Sequence, residues 1–341
     1  MTRRRVAIIG LGMAVAPHAK SLLDLADRVE IACGYSRSPE RAASFARAYG
    51  LPTTTDLRSI LDDKSISAAL VLTPPWAHLD LVKQLAAAGK HVLLEKPVEA
   101  TTARAVELVE ACRAAGVTLA MVLQHRFREA SLALAKRIAD DELGGIAAAS
   151  VAVRWWRPQS YYDEPGRGTL ARDGGGVLLT QAIHTLDLFL SLAGPVAEVA
   201  AFAGTTALHR METEDIVGAA LRFANGALGT LDATTASYPG FPERIEIVGA
   251  RATAVLAGGD LQIFYQDGRR EQVGGAQATG GGADPMAFSH EAHRAALTDF
   301  LDAIDERREP RISGRAALAV HRLIDALLRS AQDKRAVAVV Q

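Results

Sequence analysis

Val6-Ala7-Ile8-Ile9-Gly10-Leu11-Gly12-Met13-Ala14-Val15 is the stretch that decides the fold. Four apolar residues in a row read as a strand buried on both faces, and residues 16–25 carry the apolar spacing of a helix. Gly10 and Gly12 fill the turn between them. The first glycine permits the tight turn. The second lets backbone approach a pyrophosphate held at the helix N-terminus, which makes Gly10, Gly12 and Met13 candidate dinucleotide contacts. The third position of that fingerprint is Val15 where glycine or alanine is usual, which sets helix and strand slightly apart. An ordinary strand-to-helix turn uses similar residues, so the rest of the chain has to decide.

The alternation continues outward from that turn. Strands are expected at 29–33, 68–72, 91–94 and 117–123, with helices at 39–49, 57–61, 79–88 and 102–115. Gly50, Gly89 and Gly116 each follow a helical run, where a left-handed cap is wanted. This rhythm predicts a doubly wound parallel sheet of the Rossmann type over residues 1–125. Beyond 125 the rhythm changes. Helices at 131–140 and 177–193 lead into strand-like runs at 196–203, 216–223, 227–235, 244–248, 253–256 and 261–265. Strands in succession predict a mostly antiparallel open sheet, so residues 126–341 are expected to form an α+β domain. Residues 274–282 read as a mobile surface loop, and helices at 288–306 and 314–331 close the chain.

Composition narrows the function. The 341 residues, 49 % hydrophobic and 23 % charged, suit about two domains with a large core and exclude disordered or collagen-like chains. Lysine plus arginine (38) nearly cancel aspartate plus glutamate (39), and Arg3-Arg4-Arg5 is the one basic block, so nucleic acid is not an expected partner. Cys33 and Cys112 read as buried free thiols of a reducing compartment, and no Cys/His spacing suggests a metal. The N-terminal arginines, the apolar run and Ala14-Val15-Ala16 imitate a secretory signal, but cleavage there would delete the glycine turn. No apolar run approaches the roughly 20 residues that span a bilayer, so a soluble cytoplasmic protein without a membrane partner is expected.

The second strand runs into Gly34-Tyr35-Ser36-Arg37, with no acid to bind a ribose diol; Glu30 begins that strand and points away. Ser36 and Arg37 would accommodate and pair a 2′-phosphate, which favours NADP(H) over NAD(H), although Arg37 also suits a solvated surface. Thr73-Pro74-Pro75-Trp76-Ala77-His78 and Glu95-Lys96-Pro97 both follow strand C-terminal ends, the edge where open α/β sheets bind ligands. Only seven of the 38 basic residues are lysines, so Lys96 is unlike surface filler. Its ammonium could orient a substrate hydroxyl and lower that group's pKa. Further on, Gly174-Gly175-Gly176 lets backbone pass close to a ligand or a neighbouring chain. On the helix after it, Thr180, His184 and Asp187 share one face, opposite an apolar stripe of Leu179, Ile183, Leu186 and Leu190.

Together, Gly10-Leu11-Gly12, Thr73-Pro74 with His78, Glu95-Lys96-Pro97, and the triple glycine leading to His184 resemble the Gfo/Idh/MocA oxidoreductase family over essentially the whole chain. The resemblance implies that Lys96 lies near the nicotinamide and the reacting carbon, and that His184 is its catalytic partner. It also implies that Thr73, Pro74, His78 and Glu95 line the cofactor. The family commonly has aspartate four residues before the histidine. This chain has Thr180, which can hydrogen-bond a hydroxyl but cannot carry charge. His125 and Arg126 resemble a family motif at the domain junction and are expected at the substrate with Thr180. The family usually assembles through the open face of its second sheet, so a homodimer or homotetramer is expected.

Residues 154–162, Arg-Trp-Trp-Arg-Pro-Gln-Ser-Tyr-Tyr, and Arg167 supply aromatic faces for a sugar ring and polar groups for its hydroxyls. Trp155, Tyr161 and Arg167 are therefore candidate substrate contacts, with one of the tryptophan pair expected in the core because strand neighbours point to opposite faces. The expected reaction is hydride transfer between NAD(P) and a secondary alcohol of a sugar, inositol or sugar acid. His184 would take the hydroxyl proton while Lys96 stabilises the oxygen. Two alternatives stay open. One is an NAD-dependent glycoside hydrolase on the same fold, which releases no reduced cofactor; the other is a non-catalytic NAD(P)-binding sensor.

Overall fold

The computed structural model describes residues 3–275 and 288–340, so most of the expected 274–282 loop lies outside the described residues. Along the chain run β1 (Arg4–Ile9), α1 (Val15–Asp24), β2 (Val29–Tyr35), α2 (Pro39–Tyr49), β3 (Thr53–Thr54) and α3 (Arg58–Leu61). Then come β4 (Ile66–Val71), α4 (His78–Ala87), β5 (His91–Glu95), α5 (Thr102–Ala114) and β6 (Leu119–Val122). After a short helical turn at Gln124–Phe127 follow α6 (Glu129–Ala139), β7 (Ile146–Arg154), α7 (Gln159–Tyr162), α8 (Leu170–Asp173) and α9 (Ile183–Ala193). The strands β8 (Val196–Gly204), β9 (Ile216–Phe223), β10 (Leu228–Thr234), β11 (Arg244–Gly249), β12 (Ala252–Ala257), β13 (Asp260–Tyr265) and β14 (Arg270–Gly274) come next. The chain ends with α10 (Glu291–Glu306), α11 (Gly314–Asp333) and β15 (Val337–Ala338).

Two compact units result. The first joins residues up to Gln124 with Ser289–Leu318; the second holds His125–Phe288 and the chain from Ala319 on. The first is a six-stranded parallel sheet in the order β3-β2-β1-β4-β5-β6. Val6, Ala7, Ile8 and Ile9 of β1 are fully buried, as central parallel strands covered on both faces require. Sequence and structure agree to the residue on α2. Ser38 accepts from the Arg41 amide at its start, Pro39 sits in its first turn, and Gly50 ends it at φ +66°.

The return of residues 289–318 to this unit corrects the expectation that everything past 126 belongs to the second domain. On α10, Leu297, Phe300, Leu301 and Ile304 share one core with Val6, Ile8 and Leu22. Arg4 and Arg28 tie its far end through Asp305 and Asp302. The amphipathic pattern of 288–306 was legible, but it does not say which sheet the helix covers. Cys112 is buried, which pushes its thiol up to about 12, and Cys33 is only half-buried.

The second unit is a nine-stranded sheet, β14-β13-β12-β11-β7-β10-β9-β8-β15, antiparallel except for the β7–β10 pair. β7 sits at its centre and escaped the sequence reading, because Ile-Ala-Ala-Ala-Ser-Val-Ala-Val lacks the β-branched density of a strand. One face carries Val151, Val153, Val217, Leu221, Leu231, Ile245 and Ile247 into the core under α6 and α9. The stretch Leu170–Ala193 is long and apolar enough to pass for a membrane span, contrary to expectation, yet its most apolar 18 residues are 83 % buried inside the protein. It is core.

Candidate active site

The turn after β1 is built for a close approach. Gly10 sits at φ +101°, and a Cβ there would lie 2.8 Å from the Leu72 backbone, so no other residue fits. A Cβ on Gly12 would meet nothing within 4 Å. Its missing side chain therefore serves no contact within the protein and leaves the space beside the α1 N-terminus open. Ala14 caps α1 without any side-chain hydrogen bond, so the first amides of this ten-residue helix have no side-chain cap. Met13 is exposed beside them and Val15 is packed into the core, so the departure at the third fingerprint position is absorbed. These features fit the pyrophosphate of a dinucleotide.

At the end of β2, Ser36 is buried and its hydroxyl accepts from the Ser38 amide at 3.2 Å. The Arg37 guanidinium lies 5.8 Å from the centre of the Trp76 ring, which is well exposed. Glu30 is engaged at the other end of the strand, paired with Arg5 at 2.9 Å. The charge reading of this corner stands on Arg37.

Lys96 follows β5, two strands from β1, so the glycine turn and the lysine occupy the same carboxyl edge of one sheet. Thr73 and Pro74 leave β4 between them. Two residues expected to line the cofactor also hold partners within the protein. His78 is fully buried, with Nε2 2.8 Å from the Thr73 carbonyl oxygen and Nδ1 3.1 Å from those of Pro97 and Val98. Glu95 turns inward: one carboxylate oxygen is 2.7 Å from His18 Nε2, and the other accepts from the Lys96 amide at 3.0 Å. His18 holds Glu95 at about 2 in spite of its burial. His293 of α10 packs edge-on against His18 at 5.2 Å, and His18, Glu95 and His293 each offer a metal-capable atom within 4.8 Å of the others. His18 and Glu95 already spend theirs on each other.

In the second unit the triple glycine serves an internal contact. Gly174 ends α8 at φ +77°, and a Cβ on Gly176 would collide with the Glu214 backbone. The Glu214 carboxylate, whose burial raises its pKa, takes the amides of Gly176 and Leu178 at 3.1 and 3.2 Å. The close partner is this chain's own backbone rather than a ligand or neighbour. Residues Leu178–Ala182 form a π-helical turn, which carries Thr180 out of the expected i, i+4 register with His184. The Thr180 hydroxyl donates to the Gly176 carbonyl at 2.7 Å and also contacts Gln181.

Within α9, every residue from Ile183 to Phe189 is buried, so the helix has no polar outer face. His184 and Asp187 do share a side, turned to His125 and Arg126. The His184 ring stacks on His125 at 5.2 Å and 30°, and Asp187 takes Nε and Nη2 of Arg126 at 2.6 and 2.5 Å. Arg126 is thus paired with Asp187, and His125 is buried with Arg128 2.7 Å from its Nε2. Arg128 is itself paired with the buried Glu243. Sequence reading missed Arg128 and Glu243, since nothing local links positions 115 residues apart.

Strand alternation explains the tryptophans. Trp155 is the buried one, its indole N–H without a hydrogen-bond partner among the described residues. Trp156 is only partly buried and meets Tyr238 edge-on at 5.6 Å and His209 at 6.0 Å. Arg167 lies 4.2 Å over the Tyr161 ring and donates to its hydroxyl at 2.7 Å, bringing those two candidates together. The buried Arg157 stacks between Trp155 and Tyr161 at 5.5 and 5.6 Å.

The model of an oxidoreductase family with an NAD-binding Rossmann fold matches residues 4–123, and that of the GFO/IDH/MocA C-terminal domain matches residues 131–255. An inositol 2-dehydrogenase from Rhizobium meliloti is 25 % identical, covering 98 % of this chain and 99 % of its own. A D-apiose dehydrogenase from Paraburkholderia graminis is 27 % identical over 98 % and 89 %. The WlbA dehydrogenase from Bordetella pertussis, solved with NADH and UDP-GlcNAcA, superposes with a TM-score of 0.85 at 29 % identity over the full length of both chains. The chain belongs to the Gfo/Idh/MocA oxidoreductase family, its NAD-binding Rossmann domain followed by the family's C-terminal domain.

Proposed function

We propose that this protein oxidises or reduces a secondary alcohol of a sugar, inositol or sugar acid, with Lys96 and His184 as its catalytic groups. The observation that carries the reading is the placement of the open Gly12 cradle, the uncapped α1 N-terminus and Lys96 along one carboxyl edge of one sheet. A nicotinamide cofactor bound there supplies the hydride acceptor or donor. The chain's own groups do the rest. The Lys96 ammonium donates to the substrate oxygen and stabilises the charge that builds on it, and His184 takes the hydroxyl proton on a ring nitrogen.

Ser36 and Arg37, with no acid at the end of β2, support NADP(H) over NAD(H). The dehydrogenase names of the inositol and apiose relatives support a polyol or sugar substrate. Tyr161 and Arg167 are the polar and aromatic contacts we assign to it, with Thr180 offering hydroxyl lone pairs. Arginines in this segment suit a carboxylate or a phosphate, in keeping with the UDP-GlcNAcA in the WlbA complex. We place the reaction in the cytoplasm and the second sheet's uncovered face in a homodimer or homotetramer interface.

Lys96→Met and His184→Asn test the assignment. Each should lower kcat by roughly 10² to 10⁴ while leaving the melting temperature and cofactor affinity close to wild type. Full activity in either variant overturns the role given to that residue.

A further inference from the structure

We propose that His18 and His78 are positioning residues for Lys96, holding the 95–98 turn from the two faces of the sheet; the proposal rests on Lys96 acting in catalysis. The β1-to-β2 and β4-to-β5 connections run in opposite directions along the sheet, and right-handed crossovers therefore put α1 and α4 on opposite faces. His18 comes from α1 and His78 opens α4. Both are buried at a depth where a polar ring persists only with partners. The hydrogen-bond partners of both lie at the ends of β4 and β5, beside the lysine. His18 takes one oxygen of Glu95, whose other oxygen holds the Lys96 amide. His78 meets the carbonyls of Pro97 and Val98 on the far side of Lys96, and the Thr73 carbonyl on the neighbouring strand.

The backbone on either side of Lys96 is thereby fixed, which sets where its side chain starts. His293 adds a third imidazole against His18 from α10, so the C-terminal part of the chain supports the same turn. Neither His18 nor His78 exposes enough surface to touch a ligand, which separates positioning from binding. Displacing a reacting group by about 1 Å costs on the order of 100-fold in rate, so a turn held this way matters to turnover even though neither ring reaches the substrate.

The experiment compares His18→Leu, His18→Gln and His78→Leu in the full chain with three readouts. These are kcat and KM, cofactor affinity by fluorescence titration, and the pH dependence of Lys96 acetylation by competitive labelling with peptide mass spectrometry. The last needs no turnover, and with seven lysines in the chain each reports separately. The proposal expects His18→Leu and His78→Leu to lower kcat about 100-fold with KM and cofactor affinity near wild type, and to shift the Lys96 labelling profile alone. His18→Gln keeps a donor to Glu95 and should restore most of the loss. Unchanged kcat and labelling in folded His18→Leu overturn the proposal, as does a labelling shift spread evenly over all lysines. If the leucine variants fail to fold, Glu95→Gln provides the same comparison. If Lys96→Met is fully active yet His18→Leu still shifts Lys96 labelling, the catalytic reading fails and the positioning stands.

Discussion

Gly10 and Gly12 stand two residues apart and serve different ends, so the same substitution should separate them. At Gly10 an alanine Cβ would press on the Leu72 backbone at a φ of +101°, and Gly10→Ala should destabilise the fold by about 1–3 kcal/mol. At Gly12 the space is open, so Gly12→Ala should melt with wild-type protein and lose affinity for cofactor. Thermal melts and cofactor titrations of the pair check this; an equal loss of stability in both would contradict the cradle. These glycines were legible in the sequence because a turn is a local object. Glu95 was not. Its type and its place beside Lys96 could be read, but its orientation depends on His18, 77 positions away, and on the burial that makes an imidazole its best partner. The side chains of His78, Arg126 and His125 likewise take partners within the protein that no local pattern announces.

At the scale of the element, repeat spacing told helix from strand wherever a pattern ran unbroken, and it left out the local irregularities that a distant residue imposes. Residues 177–193 are helical throughout, as the spacing predicts, but Glu214 takes amides at the start and the first part is a π-helical turn before α9. α11 carries a different consequence of burial. Its His321 is 2 % exposed, and desolvation lowers its pKa from 6.5 to about 4. A folded value below the unfolded one means stability is complete above pH 6.5 and lost as pH falls through 4, by an order of 3 kcal/mol. His321→Met removes that titration. Its stability relative to wild type should improve steadily as pH falls from 7 to 4 in urea unfolding measurements, and a constant difference across that range would contradict the argument.

For the whole molecule, the change from alternating to consecutive strands announced two architectures, and both are present. The return of α10 to the first sheet was hidden, since an amphipathic helix fits any apolar surface of the right width. The second sheet leaves one face of small and polar side chains. Across it runs the registered row Phe202, Gly218, Asp232, Ala152 and Arg244, and Leu228, Val248 and Phe264 add exposed apolar groups on the same side. Small residues permit a second sheet to approach closely. Phe202→Glu with Leu228→Glu should lower the sedimentation coefficient toward that of a monomer without changing the far-ultraviolet circular dichroism. A wild-type monomer would remove the interface.

The central claim is net hydride transfer from a polyol or sugar, and an initial-rate screen following nicotinamide absorbance tests it most directly. Inositols, aldoses and their acids are offered with NADP⁺ and NAD⁺ in turn. Steady cofactor reduction is the predicted result, faster with NADP⁺ if Ser36 and Arg37 act as assigned. Cofactor that binds demonstrably and is never reduced by any of them, with aryl glycosides cleaved in its presence, would contradict the account.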